Sequence, residues 1–485
     1  MSDPARDRVS PSREDALVRS VSEAVGGPLG DHAGQHPWWT PLRVVLLLAA
    51  VALSLGIVAK APCLDIAGEA GNTGRYTNLC WSDISTAYVA NGLAEGTWPF
   101  TDDAQARARY APAWQPPLPA YVAFASQRVT ALLSGSPDLE ARALVPVPEV
   151  AEQPGVLREA RIFTLVNIVL LAGVGLLAAG LLTGVRRHRP WDAAAFALAP
   201  VLVLFFPIGW DLLAAAGVTA ALWGWSRRRL GVTGVAIGVA AAASPFAALL
   251  LVPGIALLAR DRRWPEAGIL GAGAVAAWTA LMLPAVASSP SAWLTSWKAY
   301  FHGADIGSAW LLASQVTGLD PSLRMILGGT AVLLLVVCVV VVVLAWRTQW
   351  SFASLGTLLV AEALIVSPAA APSFALVLLP LAVVAVRQWS HLLVWQACEI
   401  GHWAMLGFYL GGILAPSGGG DARAYWLGVV LRLAGLVWLI GVTAMAAAER
   451  EPEGPGSADV DAVEGRGREA DPDLDVLTDV GHPRT

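Results

Sequence analysis

Ten apolar stretches, separated by short loops in which arginines recur, constrain the fold of this chain more than any single motif. Runs at 41–60, 161–183, 191–209, 211–226, 266–286, 325–346, 390–412 and 424–447 approach the ~20 residues that a membrane-spanning helix needs. Residues 230–259 and 351–386 differ from these. Each begins and ends at arginines and is interrupted near its middle by Ser-Pro, in AAASPFAALL and IVSPAAAPSF. Proline removes a backbone donor and breaks a helix, so both stretches read as hairpins of short helices with the break at or inside the membrane, or else as tilted helices joined at the far interface. With 56% hydrophobic residues, 14% charged ones and a mean hydropathy of +0.58, the expected fold is an all-α polytopic membrane protein, a multispanning helical bundle of about twelve segments.

Arginine placement orients the bundle. Arg186, Arg187 and Arg189, then Arg227, Arg228 and Arg229, then Arg260, Arg262 and Arg263, and finally Arg347 and Arg387 fall in alternate short loops. By the positive-inside rule these loops are cytoplasmic, both termini are inside, and a large first extracytoplasmic loop covers residues 61–160. Trp38, Trp39, Trp191, Trp210, Trp293, Trp297 and Trp426 sit at expected span ends, as interfacial belts require.

Three regions are expected. Residues 1–40 form a cytoplasmic segment in which Ser10, Pro11 and Ser12 open an amphipathic helix. Residues 41–447 form the membrane domain. Residues 448–485 form an acidic cytoplasmic tail whose Gly and Pro content favours disorder. The first 36 residues are polar, so no removable signal peptide is visible, and the location expected is a bacterial cytoplasmic membrane, crossed many times.

Cys338 and Cys398 lie within apolar runs and read as small buried hydrophobes. Cys63 and Cys80 flank a polar stretch on the outer side, where a disulfide or two free thiols both fit. Between them and beyond runs RYTNLCWSDISTAYVANGLAEG, a short helix from Ile84 to about Glu95 with Ser82 or Asp83 as its N-cap. Walker loops, dinucleotide fingerprints and zinc spacings do not occur, which weighs against ATP-driven transport and soluble-cofactor chemistry. Within the membrane, Glu399 and His402 are three residues apart on one helix face, and Glu362 is an isolated acid.

The order SREDALVRSVSEAVGGPLG, WWTPLRVVLLL, PCLD, RYTNLCWSDI, GWDLLAAA, ALWGWSRRR, GSAWLL, WQACEIGHW and DVLTDVGHP resembles the GT-C superfamily of polyprenyl-phosphate-sugar glycosyltransferases. More narrowly, it resembles glycosyltransferase family 87, the family of polyprenyl-phosphate-mannose-dependent mannosyltransferases. The resemblance implies a GT-C-like fold and an inverting sugar transfer, with mannose the expected sugar, from a polyprenyl-phosphate donor to an envelope glycolipid or glycan on the outer face. It implies that Asp83, early in the first outer loop, is the general base, beside its plainer reading as a helix cap.

A leaving phosphate needs no proton but does need positive charge or a metal. Arg75, Lys298, His302 and Arg324 are the outer-side candidates for substrate binding, and Asp211, matching the family's WDLLA pattern, is a substrate residue or an N-cap. No cofactor is implied, and a divalent metal stays open. The expected partners are the donor lipid, the acceptor and membrane lipids, with no nucleic acid. Family members carry AKLYP-like and SPQY-like segments where this chain has AAASPFA and SPAAAPSF. The readings from other classes are an inactive relative acting as a membrane scaffold, and a lipid or solute transporter built on the two Ser-Pro hairpins.

Overall fold

The computed structural model describes residues 38–64, 73–186, 189–301, 303–415 and 422–449. The expected N-terminal amphipathic helix and acidic tail lie outside the described residues. Helices of eight residues or more are α1 (Pro41–Leu64), α2 (Asp83–Ala90), α3 (Pro117–Leu133), α4 (Val156–Thr183), α5 (Leu212–Ser226), α6 (Leu230–Ala241) and α7 (Leu251–Arg260). They continue as α8 (Trp264–Ser288), α9 (Ala309–Thr317), α10 (Leu323–Arg347), α11 (Phe352–Val366), α12 (Ala375–Ala385), α13 (Trp389–Leu410) and α14 (Ala422–Ala448). The described residues contain no strand, and the expectation of an all-α, multiply spanning protein is borne out.

Two length classes shape the molecule. Among the described residues, five helices are long and apolar enough to cross a membrane: α1, α4, α8, α10 and α14. At 1.5 Å per residue they run about 36–42 Å. The helices α5, α6, α7, α11 and α12 are only 10–15 residues long, about 15–23 Å. Both Ser-Pro stretches are hairpins of such short helices. In the first, α6 ends at Ala241, Ser244 stays extended, and a 3-10 turn, Pro245–Leu250, leads into α7. In the second, α11 stops before Ser367, and Pro372–Phe374 forms the 3-10 turn into α12.

The two ends of each hairpin return to the same place. Leu230, Leu257 and Arg260 of the first, and Phe352 and Val384 of the second, line one cavity at the arginine end of the bundle. The tips are therefore at the opposite end of the short helices. The fit between α6 and α8 depends on small residues: a Cβ on Gly234 or Gly238 would strike the carbonyl oxygens of Leu270 and Ala274.

The stretch 191–209, expected to be one span, is instead two short helices, Asp192–Ala197 and Pro200–Phe205. Pro200 has no N–H to continue the first helix and forces Ala199 into an extended conformation, while a second proline, Pro207, follows the next. The stretch expected as the first outer loop is more structured than its polarity suggests: α3, 17 residues long, packs on α4 and α8, with the Tyr121 hydroxyl donating to the carbonyl of Leu281 at 2.9 Å.

Candidate active site

Asp83 owes its position to the backbone around it. Cys63 at the end of α1 is disulfide-bonded to Cys80, with Cα atoms 5.7 Å apart, so the CWSD segment is tied to the end of the first span. The Ser82 hydroxyl, instead of capping α2, donates to the carbonyl oxygen of Pro207, and the Asp83 N–H donates to that of Ile208 at 2.8 Å. Asp83 is the first helical residue, not the cap, so its side chain is not consumed in ending the helix. The expected helix is shorter than foreseen, closing at Ala90 with a 3-10 turn Leu93–Glu95 after it, because Gly92 takes a left-handed φ of +76°.

The Asp83 carboxyl is accessible to solvent, yet protein encloses it, so it stands on the wall of a recess. Desolvation, then the negative charge of Asp211, push its pKa up to about 6 against the ordinary 3.8; Arg75 and Lys60 pull it down, and Asp305 adds a smaller upward push. Four charged residues from four separate stretches of chain therefore act on Asp83.

Each is held differently. Lys60, on α1 three residues before Cys63, is buried with its ammonium 5.4 Å from the ring centre of Trp81 and 5.1 Å from that of Trp403, and it has no hydrogen-bond partner among the described residues. Arg75 lies over the ring of Tyr76 at 4.9 Å. Asp211 precedes α5 but makes no side-chain capping bond; its carboxyl lies beside the hydroxyl of Ser373 at the tip of the second hairpin. The neighbouring Trp210 is anchored by donating to Asn167 Oδ1 at 2.9 Å.

Tyr300 is buried, stacks on Phe374 at 5.5 Å between ring centres, and faces both Asp211 and Ser244 at the tip of the first hairpin. Burial first, and the Asp211 charge second, hold its phenol proton on well above the ordinary range. Asp305 joins its loop to the second hairpin, its N–H donating to the Pro368 carbonyl at 2.9 Å and its carboxylate accepting from the Ala370 N–H at 3.4 Å. Behind this, Arg432 of α14 reaches the carbonyl oxygens of Gly307 and Ala370 at 3.4 Å each and pairs with Glu399 at 3.5 Å.

Of the residues expected from sequence, Asp83, Arg75 and Asp211 are brought together. Lys298 and Arg324 are exposed, at the starts of the short helix Lys298–Phe301 and of α10, and neither is among the charges acting on Asp83. His302 lies outside the described residues. Glu399 and His402 are both fully buried on α13, but Glu399 accepts from Trp395 Nε1 at 3.2 Å and pairs with Arg432 rather than with the imidazole. Lys60, Asp305, Tyr300, Ser244 and Ser373 escaped the reading as site residues. Lys60 alone carried a signal, being one of two lysines in the chain and set inside an apolar run. No group of three or more His, Cys, Asp or Glu side chains is placed to hold a metal ion among the described residues.

These features define a multispanning helical membrane protein with a carboxylate-centred recess at the tips of two broken hairpins. Residues 155–368 match the family model described as Glycosyltransferase family 87, which bears out over that segment the resemblance to a membrane glycosyltransferase of this family. The matched segment contains Asp211, Ser244, Tyr300 and Asp305 but not Lys60, Asp83 or Ser373. The crystal structure of ArnT from Cupriavidus metallidurans bound to undecaprenyl phosphate is similar at 16% identity and a TM-score of 0.38, covering 88% of this chain and 81% of that one. No curated protein matches the chain.

Proposed function

We propose that the protein transfers a sugar from a polyprenyl-phosphate donor to an acceptor hydroxyl of the cell envelope, with inversion, and that Asp83 is the general base. The observation that carries this reading is the raised but accessible Asp83 carboxyl, at about 6, between two other aspartates and two cations. A carboxylate tuned toward neutral pH is a better base than one at its ordinary value and is still mostly ionised at pH 7.

In this reaction the acceptor O–H proton passes to Asp83 as its oxygen bonds to the anomeric carbon from the face opposite the phosphate. The bond from that carbon to the phosphate oxygen breaks, and the polyprenyl phosphate leaves with the electron pair and one more negative charge. One carboxylate suffices because the leaving phosphate takes no proton. Lys60 and Arg75 supply positive charge near the departing phosphate. Asp211, with Tyr300 and Ser373 about it, is suited to accept from sugar hydroxyls.

Depth supports a lipid-borne donor. With the arginine end taken as the cytoplasmic boundary, α5 raises Asp211 by about 23 Å, less than the ~30 Å of a hydrocarbon core. The recess then opens at the level of the outer leaflet, both termini are cytoplasmic, and mannose is the sugar that the family resemblance implies. The test is transfer from labelled polyprenyl-phosphate-mannose to an envelope glycolipid extract by reconstituted protein. Product from wild type and none from Asp83→Asn supports the reading. Equal product from both removes Asp83 from the mechanism.

A further inference from the structure

A second cavity stands apart from the carboxylate recess. It lies at the opposite end of the short helices and encloses about 420 Å³. Its walls carry Arg186, Arg228, Arg260 and Arg263 against a single acid, Asp261, among the described residues. Trp225 and Phe352, stacked at 4.5 Å between ring centres, and Leu222 and Leu257 supply an apolar floor. Three of the arginines are braced and ion-paired: Arg186 by Asp192 at 3.2 Å, Arg260 by Asp261 at 2.9 Å and by the carbonyl oxygens of Ala345 and Thr348, and Arg263 by Glu266. The Arg228 side chain makes no hydrogen bond among the described residues.

The backbone at Arg228 is the second observation. After α5 the Arg229 N–H returns to the carbonyl of Gly224 at 2.9 Å and the Arg228 N–H to that of Trp225 at 3.0 Å, a Schellman cap with Arg228 at the left-handed position, φ +54°. Glycine is the ordinary occupant, and a side chain there is strained. The turn after α7 repeats the cap with Arg262 at φ +57°, but Arg262 does not line the cavity. At Arg228 a charged side chain is thus kept, against backbone preference, on the wall of a cavity already rich in guanidinium groups.

We propose that this cavity binds the phosphodiester headgroup of an anionic phospholipid. Guanidinium groups match phosphate oxygens in geometry and charge. The volume lies in the range of small-molecule sites, far more than one phosphate fills, and the apolar floor takes the glycerol and the first methylenes. Basic pockets between membrane helices at the headgroup level are suited to such lipids. Because both hairpins end on the cavity wall, the lipid would also fix the bases of the helices whose tips carry Ser244 and Ser373.

The test is thermal unfolding of the purified full chain in detergent, titrated separately with phosphatidylglycerol, phosphatidylcholine, inorganic phosphate and glycerol 3-phosphate. Phosphatidylglycerol should raise the Tm saturably, and the other three should not. Arg228→Gly relieves backbone strain, so it should fold at least as well while binding phosphatidylglycerol roughly tenfold more weakly or worse. Arg262→Gly, with the same relief and the same lost charge outside the cavity, should bind as wild type does. The proposal is overturned if phosphatidylcholine acts equally, if Arg228→Gly binds as wild type does, or if both glycine variants weaken binding alike. A shift reproduced by inorganic phosphate or glycerol phosphate makes it a soluble-anion site and overturns the lipid assignment.

Discussion

The two ends of the broken hairpins are built on opposite plans. At the arginine end, charge comes from short runs such as Arg227 to Arg229, which cap a helix locally and place Arg228 on the wall of a cavity of about 420 Å³. At the tip end, Asp83, Asp211 and Asp305 come from places more than ninety residues apart and meet Lys60 and Arg75 in a recess. The first arrangement reflects a constraint every polytopic membrane protein meets, that basic loops stay on one side. The second gathers like charges against their mutual repulsion, which no folding requirement asks for. A site assembled at a cost to stability is where chemistry is to be sought.

Variants at the two ends should therefore fail in different ways. The largest effect is expected from Asp83→Asn, which should lower the initial transfer rate in proteoliposomes by roughly 10²–10⁴-fold. Its Tm should hold or rise, since the amide does not have to be ionised in an enclosed recess. A parallel loss of Tm and rate would mean that the tip end is structural, and the contrast would disappear. Next comes Arg432→Met, which strands the buried Glu399 carboxylate and loosens Gly307 and Ala370 together. Denaturant unfolding should show a loss of roughly 3–5 kcal/mol.

Removing the disulfide with Cys63→Ser and Cys80→Ser should cost about 3 kcal/mol by loop closure alone, over its separation of 17 residues. Because the bridge ties Lys60 to Asp83, the rate should fall in the surviving folded fraction as well. The smallest effect is one of pH. The folded chain holds the Asp83 proton up to about 6, while the unfolded chain releases it near the ordinary 3.8. Ionisation between those values thus subtracts stability, whereas transfer, needing the ionised base, should rise as pH climbs through about 6. Lys60→Met removes one of the cations favouring the ionised form and should move the acid limb upward by about half a unit or more, while Lys60→Arg should restore it. An unmoved limb in Lys60→Met would take Lys60 out of the field around the base.

Much of the architecture was legible because it depends on local rules. The Ser-Pro interruptions foretold both hairpins, since a proline breaks a helix whatever surrounds it. The arginine triplets foretold which ends of the short helices would meet. The stretch 191–209 misled because its apolar composition suits a span, while Pro200 and Pro207 divide it. At the site, Asp83 stood out through its place in CWSD and the resemblance. Asp305, in the plain loop between two aromatic helices, did not, because its role comes from Pro368 and Ala370 more than sixty residues away. Lys298 and Arg324 looked equal to Arg75 on paper, since sequence shows which residues lie on one side but not which converge.

By itself the sequence determined the class of fold, which ends of the short helices carry the arginines and the break points of its hairpins. Those follow from hydrophobic length, charge bias and proline stereochemistry, which act over a few residues. Only the tertiary structure decided that Lys60 stands by Trp81 and Trp403 with no hydrogen-bond partner among the described residues, that Asp83 meets Asp211 and Asp305, and that the bases of both hairpins share one cavity. Such meetings depend on how short helices pack among long ones, and the packing is set by side-chain volumes and small residues such as Gly234 and Gly238 on different helices at once.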